Sequence, residues 1–291
     1  MASTSTYTRK DGRSATGMRA IEIQIGPLPN ADGSGAFSFG TEAAIASFAG
    51  PLEPPTARMD VFTEAVLAIT HRPLEGSAAT SSKALAAGLY TLYQPLLDLR
   101  AHPRTRTTLT VQSLNSAQPP SQPLYASSRA AAINASTLSI LNAGSIGMRG
   151  VPMAVAIAVV PTHGKGKQRA YDDIEEDQQM EQMTNGDEDV TLILDPTRNE
   201  EQNSVARFCF GWAFGQEFTN GVPGEKGESG AGETEQDEEA ECVYLESDGK
   251  FDGDTFQKAY SASRFACQTL MRTLRAQMAE HFEHSLANNN A

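Results

Sequence analysis

Residues 194–215 read LDPTRNEEQNSVARFCFGWAFG, and the fold turns on them. The apolar run Val190 to Leu194 has strand character and stops at Asp195-Pro196, where proline interrupts regular pairing. Acidic residues follow at Glu200 and Glu201, and a second strand starts near Ala206. Strand, acidic turn and strand make a hairpin. Its two glutamates are the first place to look for acid–base chemistry or a magnesium ion. They are adjacent, however, so in an extended segment they point to opposite faces. The expected environment is a solvated turn.

Upstream, Met153–Val160 is a continuous apolar run short enough for a buried strand. Before it, Ala126 to Asn142 reads as a small-residue helix with Ile133, Leu138 and Leu141 inward and Gly144 as its stop. Residues 115–123, NSAQPPSQP, form a loop. Leu85, Leu89, Leu92, Leu96 and Leu99 mark one face of an amphipathic helix, which Pro95 kinks or ends. Thr107–Leu114 returns as a strand. Nearer the N-terminus, Ile21–Ile25, Gly35–Phe39 and Ala43–Ala49 read as short antiparallel strands separated by Asp32-Gly33-Ser34 and by Gly40. Pro51, Pro54 and Pro55 close that unit, and Met59–His71 reads as one longer strand.

Downstream of the hairpin, Cys242–Glu246 supplies a further strand. A final helix, capped by Asp254 and Gln257, carries the stripe Phe265, Leu270, Leu274, Met278 and Phe282. The tail SLANNNA is expected to fray. Two strand clusters, each followed by a helix, define a mixed α/β (α+β) domain over 19–287, after a flexible segment, 1–18, and before a tail, 288–291.

The net charge of −13 is unevenly spread. Of 23 basic and 36 acidic residues, the segments 164–189 and 216–241 hold four and eighteen, leaving 19 against 18 elsewhere. These two inserts have too little apolar surface to offset the entropy of ordering and are expected to be disordered. Glycines at 221, 224, 227 and 230 mimic a collagen triplet, but four triplets do not nucleate a triple helix. The remainder is near neutral, so the acidic total does not exclude an RNA partner. A hydrophobic content of 40% with one Trp and twelve Phe suits a globular chain. No apolar run approaches the roughly 20 residues of a membrane span, so no membrane association is expected. MASTSTYTRKDGR lacks the apolar core of a signal peptide. Cys209, Cys242 and Cys267 are widely spaced and odd in number, indicating neither a disulfide framework nor a zinc site. A reducing cytoplasmic or nuclear compartment is expected. Asn134-Ala135-Ser136 fits a glycosylation acceptor but falls inside a predicted helix.

Four segments in order resemble the RNase PH family of phosphate-dependent 3′→5′ exoribonucleases. They are Arg9-Lys10-Asp11-Gly12-Arg13 with the following RAIEIQIGPLPNADGSGAFSFGTEAAIASFAGP, then Ser82 to Leu114, then Ser127-Ser128-Arg129 opening a small-residue helix, and finally the Asp195 hairpin with the terminal helix. Within the family, LEPPTARMD, HRPLEGSAATSS and ILNAGSIGMRGVPMAVAIAVV are most similar to eukaryotic exosome ring subunits. The resemblance implies an RNase PH fold and a six-membered ring of related subunits, capped by RNA-binding proteins and threaded by RNA. It also implies docked hydrolytic exoribonucleases that do the cutting, in the nucleus, the nucleolus and the cytoplasm. Two alternatives stand beside it: an active phosphorolytic exoribonuclease, and a structural ring protein without RNA contact.

Phosphorolysis needs a cradle for phosphate, cations on the RNA backbone and a carboxylate near the scissile bond. By the resemblance, Ser127, Ser128 and Arg129 are the remnant of the phosphate loop, at a helix N-terminus that favours anions. The bland alternative is a Ser N-cap with a solvated Arg. Asp195, Glu201 and Arg207 are the remnant of the catalytic hairpin, with Arg207 where active members carry Asp. An arginine neither accepts a proton nor holds a metal-bound water. The arginine expected in the preceding helix is absent from Leu92-Tyr93-Gln94-Pro95-Leu96. No catalytic residue, metal site or cofactor is therefore expected. Arg72, Arg100, Arg104, Arg106 and Arg129 are the candidate RNA contacts; Arg100, Arg104 and Arg106 flank His102 in the densest basic cluster beyond the N-terminus, with surface charge or intersubunit ion pairs as the alternative. His281 and His284 have metal-compatible spacing but no third ligand, and read as surface residues.

Overall fold

The alternating residues near the N-terminus build the first of two sheets. A computed structural model describes residues 9–54, 61–115, 124–161, 190–215 and 240–289. In it, β1 (Ile21–Ile25), β2 (Gly33–Phe39) and β3 (Glu42–Leu52) form an antiparallel meander. β3 alternates buried and half-buried positions along nearly its whole length, as expected for a strand with one face on the core. β4 (Val66–Arg72), α1 (Thr80–Leu96) and β5 (Arg106–Ser113) form a strand–helix–strand crossover with parallel strands. The five strands lie in the order β1-β2-β3-β5-β4.

The second sheet contains β6 (Val151–Pro161), β7 (Val190–Leu194), β8 (Ala206–Phe214) and β9 (Ala240–Gly249), in the order β7-β6-β8-β9, all antiparallel. The hairpin of residues 194–215 does not pair its own two strands; β6 lies between β7 and β8. A five-residue helix, α3 (Arg198–Gln202), occupies the turn. The long helix α4 (Gly253–Asn289) packs on β6 and β8, and the Trp212 indole donates to Ser263 Oγ at 2.9 Å.

Between the sheets lies α2 (Ala126–Ala143), buried from Ala126 through Ile140 except for Arg129. Its Ala- and Ser-rich surface lets both sheets approach closely. A Cβ at Gly33 would lie 2.3 Å from the Ser139 carbonyl oxygen, and one at Gly35 would lie 2.3 Å from Leu138 Cβ. Polar groups on this buried helix are paired across the layers. Asn134 accepts the Ala154 N–H at 2.7 Å and donates to its carbonyl at 3.0 Å. Tyr93 of α1 bonds to the Ile133 carbonyl at 2.9 Å and Thr137 Oγ1 at 2.8 Å. Thr137 donates on to the Pro152 carbonyl at 2.7 Å. Asn134 is thus an internal tie with no surface exposure.

Several boundaries differ from the sequence expectation. The strand expected over 59–71 is shorter, because residues 61–65 form a loop that hydrogen-bonds to residues 99–105. Pro95 lies in the last turn of α1, and Leu99 falls in a short 3₁₀ helix beyond it. Asp252, not Asp254, caps α4, its carboxylate accepting the Asp254 N–H at 2.7 Å. α4 continues to Asn289, through most of the tail expected to fray. Residues 9–18, expected to be flexible, are held by a buried arginine, Arg9. Ala240 and Glu241 belong to β9 and not to an insert. The rest of both acidic inserts, including the collagen-like glycines, lies outside the described residues. No helix among the described residues is long and apolar enough to cross a membrane.

Candidate functional site

The hairpin turn is neither extended nor solvated. Thr197 and Glu200 form a reciprocal capping box that winds α3, and helical geometry sends the adjacent glutamates to two different partners. Glu200 is 6% exposed and Glu201 1%. Glu200 accepts two parallel bonds from the Arg9 guanidinium, at 3.0 and 2.9 Å. Arg9, 2% exposed, also donates to the carbonyls of Leu194 at 2.9 Å and Asp195 at 2.8 Å. Burial pushes the Glu200 carboxyl up, but Arg9 and the Thr197 N–H outweigh it and hold the group below the usual carboxylate range.

Glu201 turns inward to the start of α2. Its Oε2 accepts the Ala126 N–H and its Oε1 the Ser127 N–H, each at 2.9 Å. Helix N-termini present free N–H groups and a positive dipole end, and here a carboxylate of the same chain takes both. Burial pushes the Glu201 carboxyl up, offset only in part by these N–H groups and by Arg207. α2 has no side-chain cap from its own N-cap residue, Tyr125; Ser128 does not cap it. Ser128 instead donates to Glu42 at 2.8 Å, and Glu42 is also held by Arg198 at 2.5 Å and by Asn115. The Ser127 side chain is fully buried.

Asp195 sits at φ 48, a left-handed conformation that Asp tolerates. Its carboxylate receives the Arg19 backbone N–H at 2.7 Å and the Arg19 guanidinium at 2.9 and 2.5 Å. Arg13 reaches the same carboxylate at 3.5 Å. Asp195 is therefore a structural anchor between the hairpin and the N-terminal segment. Arg207, on β8, pairs with Asp248 directly across on β9. Arg129 is not solvated: it is half-buried and pairs with Glu246 of β9 at 2.7 Å. Glu246 also accepts the Tyr244 hydroxyl at 2.6 Å.

Around the α2 N-terminus the candidate cations Arg129 and Arg207 each carry a carboxylate partner, and the candidate carboxylate Glu201 is committed to backbone N–H groups. This arrangement neutralises charge within the fold. Among the described residues no group of three or more His, Cys, Asp or Glu side chains could hold a metal ion. His281 is exposed; the His284 side chain lies outside the described residues.

The remaining arginines divide between opposite ends of the first sheet. In the parallel β4–β5 pair, Val66 is level with Arg106 and Arg72 with Gln112. Arg72 thus stands at the end nearer Ser128, whereas Arg100, Arg104 and Arg106 stand at the other, about 20 Å away at the rise of a strand. Arg72, Arg100 and Arg104 are exposed and Arg106 half-buried. Near Arg72, His71 is buried, bonds through Nε2 to Ser113 Oγ at 2.9 Å, and is pushed by burial to about 4. Sequence reasoning did not single out Arg9 as a contact of Glu200, nor Glu42, Arg198, Glu246 and Asp248. The R-x-D-G-R motif was the available signal for Arg9; the others lie in no local pattern.

Two sheets flanking a small-residue helix, with this hairpin, define an RNase PH-fold protein. Residues 17–145 match the model described as "3′ exoribonuclease family, domain 1". Within that class it is similar to exosome complex component RRP46 of Saccharomyces cerevisiae, 30% identical over 48% of this chain and 62% of the relative. It is 27% identical to exosome complex component Rrp41 of Pyrobaculum calidifontis over 52% of this chain and 62% of that protein. The chain therefore spans about 62% of the length of these curated relatives. The crystal structure of rice (Oryza sativa) Rrp46 superposes with a TM-score of 0.67 at 19% identity, covering 93% of this chain and all of the other. The Archaeoglobus fulgidus exosome with RNA bound to the active site gives 0.59 at 13% identity, covering 92% of each chain. These structures establish the fold.

Proposed function

We propose that this chain is a non-catalytic RNase PH-like subunit of the RNA exosome core ring, giving structure and part of an RNA path to 3′→5′ RNA processing and degradation, including ribosomal RNA maturation. The similarity to RRP46 and to exosome structures supports ring membership. One observation supports the loss of chemistry: Glu201 occupies the N-terminus of α2, where phosphate would have to sit. Arg207, bound to Asp248, adds a cation where the resemblance expects a carboxylate. The proposed partners are other RNase PH-like ring subunits, RNA-binding cap subunits, RNA and associated hydrolytic exoribonucleases. The proposed location is the nucleus and nucleolus, with a cytoplasmic pool.

Affinity purification of the tagged full-length chain, followed by identification of what accompanies it, tests the assembly. Ring subunits are expected, and a monomer without partners would overturn it. Incubation of the chain, alone and in its ring, with RNA, magnesium and phosphate tests the chemistry. Release of nucleoside diphosphates that stops on Arg129→Ala would establish the active alternative.

A further inference from the structure

At the start of β5, remote from the hairpin, two loops meet. Ala65 N–H donates to the Leu99 carbonyl at 2.8 Å, Val66 N–H to that of Thr105 at 2.8 Å, and Arg104 N–H to that of Val61 at 3.0 Å. These bonds place the Arg104 guanidinium over the Phe62 ring, 5.3 Å from its centroid. Arg104 adopts φ 62, in a turn closed by the Thr105 hydroxyl donating to the His102 carbonyl at 2.7 Å. Phe62 is 75% exposed, more than any other large hydrophobic side chain described. Leu52, 52% exposed, lies across from Arg106 in the β3–β5 register. Glu53, Glu64 and Asp98 belong to the same loops; Arg104 has a further partner besides Phe62, and among the described residues no ion pair joins Arg100 or Arg106 to any of the three carboxylates.

We infer that Phe62 and Arg104 form a stacking platform for an unpaired base of single-stranded RNA, with Arg100 and Arg106 on the neighbouring phosphates. An aromatic ring held open beside a guanidinium plane offers what a base requires: a flat apolar face and a cation. Arg100 and Arg106, at the same loops and with no ion pair among the described residues, match a polyanionic backbone. Base pairing hides the faces that stack, so duplex RNA does not fit. The inference rests on the chain being an RNA-handling subunit, and it locates a contact that needs neither Glu201 nor the α2 N-terminus.

The test is fluorescence anisotropy of a short labelled oligouridine with the purified full-length chain. Phe62→Ala is expected to weaken binding on the order of tenfold, and Phe62→Trp to preserve it. Arg100→Ala is expected to weaken binding and make it less salt-dependent, by a slope of about 0.7 per lost phosphate contact. Because Phe62 is exposed, an unchanged melting temperature will show that the variants fold. Wild-type affinity in Phe62→Ala would overturn the platform, as would equal affinity for a blunt RNA duplex or equal competition by polyglutamate. Ring membership is read separately: Phe62→Ala should purify with the same partners as the wild type. A wild-type chain that purifies alone would overturn membership and leave the anisotropy result standing.

Discussion

Glu201 Oε1 accepts the Ser127 backbone N–H at 2.9 Å across 74 residues of sequence, while its Oε2 accepts that of Ala126. A helix core to both sheets is thus capped by a side chain from the hairpin and not by its own N-cap residue. Glu201→Ala leaves two buried N–H groups without an acceptor and is expected to destabilise the chain by about 1–3 kcal/mol. Inorganic phosphate should raise the melting temperature of this variant and not of the wild type, since only the variant exposes the helix terminus to an anion. Thermal melts with and without phosphate check both.

The Arg9–Glu200 pair gives a pH signature. Glu200 titrates below its ordinary value of 4.5 in the folded chain. Between that value and the depressed folded one, the unfolded chain binds more protons, so stability contributed by Glu200 is present above about 4.5 and lost as pH falls. Glu201, raised by burial, runs in the opposite direction. The informative quantity is therefore the difference between wild type and Glu200→Gln, which should shrink on acidification through this window in urea titrations.

Removing one partner of this pair is a harsher test. Arg9→Ala leaves the buried Glu200 carboxylate without its counter-charge and takes a donor from the Leu194 and Asp195 carbonyls, and the expected loss is about 3–5 kcal/mol. Denaturant midpoints measure it. A loss as small as that of an exposed pair would show that residues 9–18 contribute little to the fold.

Arg207→Asp restores a carboxylate on β8 but sets it opposite Asp248. The expected result is no nucleoside diphosphate release and a stability loss of about 0.2–1 kcal/mol from like charges across the strands. A phosphorolysis assay and a melt on the same preparation check the two parts.

Gly35→Ala tests the packing of β2 on α2. Its Cβ would meet Leu138 Cβ at 2.3 Å, and the forced shift should destabilise by about 1–3 kcal/mol or more.

What was legible in the sequence was whatever depends on neighbours in the chain. The small-residue run 126–142 and its stop at Gly144, which takes φ 59, give α2 nearly to the residue. The uninterrupted apolar run gives β6, buried along its length. The 59–71 expectation went wrong because Val61 and Phe62 carry strand-like apolarity while serving an exposed loop. The environment of the two glutamates was hidden for a different reason. Whether an acidic turn is solvated depends on what arrives from elsewhere, and Arg9 lies 191 residues from Glu200. Arg129 and Arg207 gave the same difficulty, since their partners Glu246 and Asp248 stand on β9, beyond the second acidic insert.

The seating of Arg9 also constrains the order of folding. Its partners Leu194, Asp195 and Glu200 are made long after it, and closing so long a loop is slow. During synthesis the first sheet can form while Arg9 waits for a hairpin that does not yet exist. Arg9, made well before its partners, is thus among the last residues of the fold to be placed.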